Sequence, residues 1–407
     1  MMNLYPKIFN NIDDALLAAK RLSKVLPEDE GKNSIPECFK IESLANPYSG
    51  FENNAPDDKF IVCRLGSGRY SLKPNLHNHR FLYRGQRKFY KDCPPSLYRN
   101  RDQDYFIDEM IRCQEEQILM LSHPLVRLLD HGITLEGKTF VFEMNLYGLT
   151  QHYYNKTHFI DLSSDPKVAA FFATNKYNSV DDTYTAASDG IGCIYLYELN
   201  EATDFKPRNP FDSPRLTTIG LQVFPRSGAQ RGFLFGMNKG ENFNQIGKGY
   251  ILKFYQRKQF SDKYNKMFNA GKTLFPDDIL THHWLKYNSN PKIVSKYAVN
   301  LNVSWNKGET FDSISGKLKD KGYQIEYYVP TFTNDELHDY YYSIPNFWDD
   351  FCEKIYFPED KDDQLHQQLM DAKINSAFQW AFDENSKVDM SNISGYVYDM
   401  YQKQCGI

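Results

Sequence analysis

Residues 158–173 read His-Phe-Ile-Asp-Leu-Ser-Ser-Asp-Pro-Lys-Val-Ala-Ala-Phe-Phe-Ala. Within this stretch the pattern changes from that of a strand to that of a helix. Its first part, 159–162, is an apolar, strand-like run. Asp165 then has the residue type and position of a helix N-cap, and Pro166 has those of a first helical residue. The sequence therefore predicts a strand that turns sharply into a helix at residues 163–165.

Other strands and helices are predicted on both sides of this turn. Strand-like runs lie at 60–63, 81–83, 139–142, 192–197 and 250–255, and helical periodicity lies at 11–26, 104–121, 313–320 and 362–382. Because strands outnumber helices and do not alternate regularly with them, we expect an α+β fold with a mixed or antiparallel sheet. We divide the chain into an N-terminal helix and loop extension (1–75), a core domain (76–260) and a helix-rich C-terminal region (261–407) that packs on the core.

Composition and charge limit the classes of function. Of 407 residues, 41% are hydrophobic and 25% charged, and the net charge of −4 gives no broad attraction to nucleic acid or to an anionic membrane. No run approaches the roughly 18 apolar residues of a membrane span, and the first residues lack a secretory pattern. The seven cysteines are scattered without a CxxC pair, so no disulfide framework is expected. We predict a soluble, cytoplasmic protein.

One candidate site segment is Tyr83-Arg84-Gly85-Gln86, at the end of a predicted strand. The planar guanidinium of Arg84 can bind a phosphate or carboxylate with several N–H donors, and Gly85 allows a ligand to approach the backbone. A surface arginine in a turn is the alternative interpretation of this segment.

A second segment surrounds the strand-to-helix turn. Ser163 and Ser164 lie where the free backbone N–H groups of the following helix favour an anion, and Asp161 precedes them on the strand. His152 and Tyr153 lie shortly upstream, where His152 could act as a base or contact a ligand. A histidine in such a position is more often structural.

A third segment, Ser-Gly-Ala-Gln-Arg-Gly-Phe at 227–233, places the polar amide of Gln230 between glycines and before an apolar strand. Glycines that flank a polar residue are typical of turns. A hairpin-like turn is therefore the simplest interpretation, and a ligand contact by Gln230 is the functional one.

Five motifs along the chain together resemble one family. In order they are Tyr-Arg-Gly-Gln (83–86) with Pro-Ser-Leu-Tyr-Arg (95–99), Gln-His-Tyr (151–153), Asp-Leu-Ser-Ser-Asp-Pro-Lys-Val-Ala-Ala-Phe-Phe-Ala (161–173), Asp-Gly (189–190) and Ala-Gln-Arg-Gly-Phe (229–233). Their order and spacing resemble the FRG domain, which is named for its Phe/Tyr-Arg-Gly motif. The resemblance extends over about residues 81–235.

The chain departs from the family pattern in one run. Residues 154–163 replace the family's Gly-Leu-Pro-Thr-Arg-Leu-Leu-Asp-Trp-Thr, so that the family's arginine falls on His158 and its Trp-Thr on Leu162 and Ser163. A role of that arginine is therefore not carried over to this chain.

The pattern is also similar, more distantly, to ADP-ribosyltransferases, which carry an arginine, a Ser-Thr-Ser-like motif and a later Gln-x-Glu or Glu in this order. Arg84, Ser163 and Gln230 would be the corresponding catalytic residues. The resemblance implies a split-sheet core with helical N- and C-terminal additions, and NAD as the substrate that it holds.

The resemblance also implies roles for the site residues. Arg84 would hold the NAD phosphates, and Ser163 would line the nicotinamide pocket. The remaining nucleotide contacts would come from Tyr83, Gly85, Gln86, His152, Tyr153, Asp161 and Ser164. Tyr154 is an alternative to Tyr153 for stacking on the nicotinamide. Since Gln230 is neutral, it cannot stabilise the positive charge that develops when the glycosidic bond breaks. Asp161 or Glu241 would supply that charge, or the domain binds nucleotides without cleaving them.

Several alternatives remain open at this stage. A basic stretch at 77–101, interleaved with aromatic residues, suits single-stranded nucleic acid or a polyphosphate. A hydrolase is disfavoured because no G-x-S-x-G elbow occurs, and the adjacent His282 and His283 do not suit one metal ion. FRG proteins of bacteria imply a macromolecular partner, either a protein or a nucleic acid, besides NAD or a related nucleotide, and we expect no membrane partner.

Overall fold

The fold is seen in a computed structural model, which describes residues 1–24, 59–64, 69–76, 79–99, 103–131, 133–135, 138–178, 183–199, 204, 215–287, 292–306, 308–333, 335–336, 351 and 353–355. The chain forms two compact units from interleaved stretches. The first, called the sheet unit, consists of Met1–Gly66, Leu72–Ser96 and His158–Pro276. The second, called the helical unit, consists of Ser67–Ser71, Leu97–Thr157 and Asp277–Ile407. The predicted division at residues 75 and 260 stays a prediction.

The strands are short and come from all parts of the described chain. They are β1 (Met2–Phe9), β2 (Phe60–Arg64), β3 (Tyr70–Pro74), β4 (Phe81–Gln86), β5 (Ile133–Leu135), β6 (Lys138–Phe140), β7 (Phe159–Ser163), β8 (Asn175–Asn178), β9 (Thr183–Ala186), β10 (Ile191–Glu198), β11 (Leu216–Thr218), β12 (Gly232–Gly236), β13 (Gly249–Tyr255), β14 (Ile293–Ser295) and β15 (Gln324–Glu326).

The α-helices are α1 (Ile12–Lys24), α2 (Gln103–Leu121), α3 (Pro124–His131), α4 (Leu146–Thr150), α5 (Pro166–Thr174), α6 (Pro225–Ala229), α7 (Phe243–Ile246), α8 (Lys258–Met267), α9 (Ile279–Tyr287), α10 (Lys296–Trp305) and α11 (Phe311–Asp320). Within the helical unit, α2 packs against α4 and α10, and β14 pairs with β15 in parallel. No helix in the described part of the chain is long and apolar enough to cross a membrane.

A mixed seven-stranded sheet, in the order β1-β13-β10-β4-β7-β12-β11, organises the sheet unit. Neighbouring strands are antiparallel except β1 and β13. The joint between β4 and β7 is narrow, because only Tyr83 and Ser163 pair across it, whereas the strands on either side are paired over most of their length. The sheet therefore consists of a four-stranded and a three-stranded part that meet at one residue pair.

One face of the four-stranded part is buried under α1, α5 and α8. Phe171 of α5 lies at the centre of this core, with its ring centroid 5.0 Å from that of Tyr184 and 5.5 Å from that of Phe268. Burial of such aromatic surface is the main stabilising term in a domain of this kind. The core therefore fixes α5 directly beneath β4, the strand that carries Arg84.

Local sequence signals predict about half of the described helices and strands of the sheet unit. The helix at 11–26, the strands at 60–63, 81–83, 192–197 and 250–255, and the strand-to-helix turn are all confirmed within a few residues. Asp165 caps α5 as expected, because its carboxylate accepts the Lys167 N–H at 2.7 Å.

Two predictions have other outcomes. The hairpin-like turn at 227–233 is confirmed only at Gln230 and Arg231, where the Arg231 N–H donates to the Gly228 carbonyl at 3.0 Å. Before it, Pro225 begins the short helix α6, since its fixed φ suits a first helical turn. The predicted helix at 362–382 lies outside the described residues.

Candidate functional site

Arg84 lies at the narrow joint of the sheet. It is half-buried on β4, and its Nη1 donates to the backbone carbonyl of Asp161 on β7 at 3.1 Å. Its Nε is buried and has no acceptor among the described residues. The guanidinium therefore spans the joint where strand pairing is thinnest, and it retains donor capacity for an anion.

Tyr83 and Gly85 have their places on the other face of β4, because successive residues of a strand alternate between faces. Tyr83 belongs to the core beneath the sheet, and burial raises the pKa of its phenol above its usual value. At Gly85 α5 approaches so closely that a Cβ would lie 1.7 Å from the Ala169 carbonyl oxygen. The glycine next to Arg84 thus serves the packing of α5, and a ligand contact by either residue stays a prediction.

Gln86 and the loop after it cover the Arg84 face of the sheet. Its Nε2 lies 3.6 Å from the Cys93 Sγ, and the Cys93 N–H donates to the side-chain oxygen of Asn242 at 3.0 Å. Cys193 and Tyr195 of β10 pair with Gln86 and Arg84, and burial raises the pKa of the Cys193 thiol to about 12. Asn242 and Tyr195 were not predicted as part of this region, because Tyr195 is brought beside β4 by strand pairing and Asn242 by its hydrogen bond to Cys93.

Ser163 and Gln230 come together because β7 pairs with β12 at Ser163 and Gly232. The Ser163 hydroxyl donates to the Gln230 carbonyl at 2.7 Å and accepts the Asp165 N–H at 3.0 Å. The Gln230 amide nitrogen donates to the Leu274 carbonyl at 3.0 Å. These bonds stabilise the turn into α5, so both side chains have structural partners.

Ser164 follows in the turn and is buried, and its hydroxyl oxygen has no hydrogen-bond partner among the described residues. Its N–H donates to the Arg231 carbonyl at 3.2 Å, which ties the turn to the start of β12. The backbone donor that the sequence suggested for an anion is therefore already used at this residue. A nucleotide contact by the Ser164 side chain stays a prediction.

The two candidate acids differ in their surroundings. Glu241 forms a two-bond ion pair with Arg215, at 2.5 and 2.6 Å, and these hydrogen bonds hold the pKa of its carboxyl below its usual range. Asp161 is partly buried on β7, and its backbone carbonyl is the acceptor for Arg84. Of the two, Asp161 contacts Arg84, and it does so through its backbone carbonyl and not through its carboxylate.

His152 and Tyr153 belong to the helical unit, in a short 3₁₀ helix, Gln151–Tyr153. The Tyr153 ring is fully buried, and its hydroxyl donates to the Asp278 carboxylate. His152 is buried as well. The motif therefore has a packing role in its own unit, and its contact with a ligand stays a prediction.

His158, which occupies the position of the family's arginine, is a weakly basic group. Burial lowers the pKa of its imidazole to about 4, and its ring lies 4.1 Å from that of Phe159. It is therefore neutral near pH 7 and cannot replace an arginine as a cation.

The low pKa of His158 predicts an acid-sensitive contribution to stability. Because an unfolded histidine titrates near 6.5, the unfolded chain binds a proton that the folded chain does not, and stability falls as the pH drops from about 6.5 towards about 4. Urea unfolding at about pH 7 and about pH 5 should show a smaller loss for His158→Gln than for the unsubstituted protein. Equal losses in the two proteins would contradict this assignment.

The predicted basic stretch at 77–101 is only partly available to a polyanion. Arg80 pairs with Glu198, its Nε donating to the carboxylate at 2.9 Å. Arg87, Lys88 and Lys91 are exposed. The first and last basic residues of the stretch lie outside the described part of the chain. Arg80 is thus held by a carboxylate, and binding of a polyanion by the other basic residues of the stretch stays a prediction.

Comparison with known proteins identifies one region. Residues 79–182 match the FRG domain, so that an FRG domain is present over a stretch that includes β4, β7 and α5. Neither curated proteins nor solved structures give a match. In the described residues, no group of three or more His, Cys, Asp or Glu side chains is arranged to hold a metal ion.

Proposed function

We propose that the sheet unit binds NAD or a related nucleotide at the joint between β4 and β7, and that it transfers ADP-ribose to a macromolecular target. The observation that supports this most is the half-buried Arg84, whose Nε lacks a described acceptor at the thinnest point of the sheet. An arginine in this setting is suited to a pyrophosphate, because its N–H groups can contact two oxygens at once.

The reaction would place opposite charges at the two ends of this site. Arg84 would hold the pyrophosphate while the bond between ribose C1′ and nicotinamide breaks, and the positive charge that develops at C1′ needs a nearby anion. Asp161 is the candidate, because Glu241 is held by Arg215 and the Gln230 amide is bound to Leu274. Nicotinamide then leaves with the bonding electrons, and an acceptor group bonds to C1′ as it loses its proton.

Binding without turnover is the second candidate function. It is favoured by the hydrogen bonds of Ser163 and Gln230, which hold the turn into α5 together. Residues that maintain a turn cannot move to a substrate without breaking these bonds, each worth about 1 kcal/mol. The domain would then sense a nucleotide through Arg84 alone.

Calorimetric titration with NAD and with ADP-ribose tests the binding site. Arg84→Ala should weaken binding by about 10- to 100-fold, since it removes a charge-assisted contact worth roughly 1.5–3 kcal/mol. Arg87→Ala is the matched control, because Arg87 is exposed, lies three positions along the chain and should leave affinity unchanged. If neither ligand binds, or if both variants lose affinity equally, the proposed site is wrong.

Nicotinamide release by the same proteins separates the two functions. Release that is lost in Asp161→Asn, while NAD affinity is kept, would support the transferase. Binding without release in the unsubstituted protein, tested with cell extract as a source of acceptors, would favour the sensing function. Release that persists in Asp161→Asn would remove Asp161 from the mechanism.

A further inference from the structure

The helical unit contains a cavity of about 230 Å³ that is separate from the residues considered above. At about 30 Å³ for each water of liquid, this is room for roughly eight waters, which is about the size of a small aromatic or amino-acid ligand. One wall is a single face of α2, formed by Arg112, Glu115, Glu116 and Leu119. These positions follow the i, i+3, i+4, i+7 spacing of one helix face over about two turns, so their side chains line the cavity together.

Two carboxylates make this wall acidic. Glu115 is 4% exposed and Glu116 7% exposed. Glu116 accepts a hydrogen bond from the Asn155 amide. Glu115 accepts one bond from the Ser295 N–H and one from the Tyr328 hydroxyl, the latter at 3.2 Å. Both donors to Glu115 are neutral.

Glu115 lacks a cationic partner among the described residues. Arg112 lines the same cavity, but the charge of its guanidinium interacts with the Glu109 carboxylate, and its N–H groups donate a hydrogen bond to the Tyr323 hydroxyl. A buried carboxylate without a cation is costly in its ionised form. Accordingly, burial raises the pKa of the Glu115 carboxyl to about 7.

Part of the remaining lining suits the apolar part of a small ligand. Leu280, Val329 and Pro330 provide hydrocarbon surface there, and the aromatic side chain of Tyr328 lines the cavity as well. His283 completes the polar lining, and its Nδ1 lies 3.3 Å from the Glu336 carboxylate. A pocket with an apolar body and a few convergent polar groups is the usual form of a small-molecule site.

We propose that this cavity binds a small organic cation, an amidine, guanidine or primary amine with an apolar body, whose charged end contacts Glu115 and Glu116. The cation would supply the ion-pair partner that Glu115 lacks among the described residues. A neutral ligand of the same shape would leave the buried carboxylate uncompensated. This site is independent of the nucleotide site proposed for the sheet unit.

Benzamidine and its neutral analogue benzamide are suitable probes of matched shape. Calorimetry with the full chain should show that benzamidine binds at least about tenfold more tightly than benzamide at pH 8. Because the proton and the cation compete for Glu115, benzamidine affinity should fall about tenfold between pH 8 and pH 6. Equal affinity for the two probes, or no binding of benzamidine, would overturn the proposal.

Substitutions test whether the bound cation contacts Glu115. Glu115→Gln keeps one acceptor oxygen for Ser295 but should weaken benzamidine binding at least about tenfold and remove its pH dependence. Glu309→Gln, at a glutamate of the same unit that pairs with Lys317 outside the cavity lining, should change neither. A pH dependence that survives in Glu115→Gln would assign the titration to His283, whose protonation also repels a cation, and would overturn the role of Glu115.

A second variant keeps the test decisive if Glu115→Gln does not fold. Tyr328→Phe removes one hydrogen bond to the carboxylate without changing its charge, and that bond lowers the pKa of Glu115. The midpoint of the pH dependence of benzamidine binding should therefore move upwards in this variant. An unchanged midpoint would contradict the assignment, and a purely structural role of Tyr328 would lower stability without moving it.

Discussion

Replacing Gly85 by alanine is expected to lower the free energy of unfolding by about 3 kcal/mol or more. The new Cβ would lie 1.7 Å from the Ala169 carbonyl oxygen and 2.7 Å from the Ala173 nitrogen, both of them backbone atoms of α5. A flexible side chain could move away from such a contact, but a buried helix cannot without opening the core around it. Urea unfolding followed by circular dichroism measures the loss directly.

Gly236→Ala is the matched control on the same sheet. A Cβ at Gly236 would meet the Phe159 ring at 3.6 Å and the Arg215 carbonyl oxygen at 3.7 Å, which are ordinary contact distances. We expect this variant to stay within about 1 kcal/mol of the unsubstituted protein. If Gly85→Ala is tolerated equally well, then α5 does not pack against β4 as the structure has it.

Phe171→Ala is expected to lower the free energy of unfolding by about 3–5 kcal/mol. The ring is completely buried in the core between α5 and its neighbours, where it contacts Phe172, Tyr184 and Phe268. Its removal combines the loss of buried apolar surface with a cavity that a tightly packed aromatic cluster cannot close. Thermal unfolding should show a clearly lower Tm.

Tyr255→Ala provides the corresponding control at the end of β13, where the ring is 43% exposed. Its stability should change by about 1 kcal/mol or less, because little buried surface is lost. Losses of equal size in Phe171→Ala and Tyr255→Ala would mean that Phe171 is not at the centre of the core. NAD affinity should be unaffected in Tyr255→Ala, which lies away from Arg84.

The two core predictions also bear on the proposed nucleotide site. Gly85 is adjacent to Arg84, so the motif combines a packing residue with a ligand candidate. A folded Arg84→Ala protein without NAD binding, beside an unstable Gly85→Ala protein, would separate these two roles. Loss of stability in both would instead give Arg84 a structural role through its bond to the Asp161 carbonyl.

The sequence alone predicts the elements whose signals are local. The strand and helix around residue 165 depend on strand-forming residues, a capping carboxylate and a proline within a few positions, and the structure places β7 and α5 there. The short helix α6 was missed, because Pro225 lies just before the segment that was interpreted as a turn. The FRG match at 79–182 includes the motifs at 83–86, 95–99, 151–153 and 161–173, and it ends before those at 189–190 and 229–233.

Relations between distant residues were decided by the tertiary structure. Strand pairing brings Ser163 to Gln230 and Arg84 to the Asp161 carbonyl, and it leaves the joint between β4 and β7 with one residue pair. The chain also divides so that His152 lies in the helical unit and Arg84 in the sheet unit. Spacing along the sequence does not contain this information.

The physical reason is the range of the interactions. Caps, turn residues and helical periodicity act over about four residues, so the sequence by itself determined the strand-to-helix turn and the strand that carries Arg84. Hydrogen bonds between strands and the packing of α5 join residues that are many tens of positions apart, and they form only when the whole core closes. The tertiary structure alone therefore decided which side chains surround Arg84, and which line the acidic cavity at Glu115.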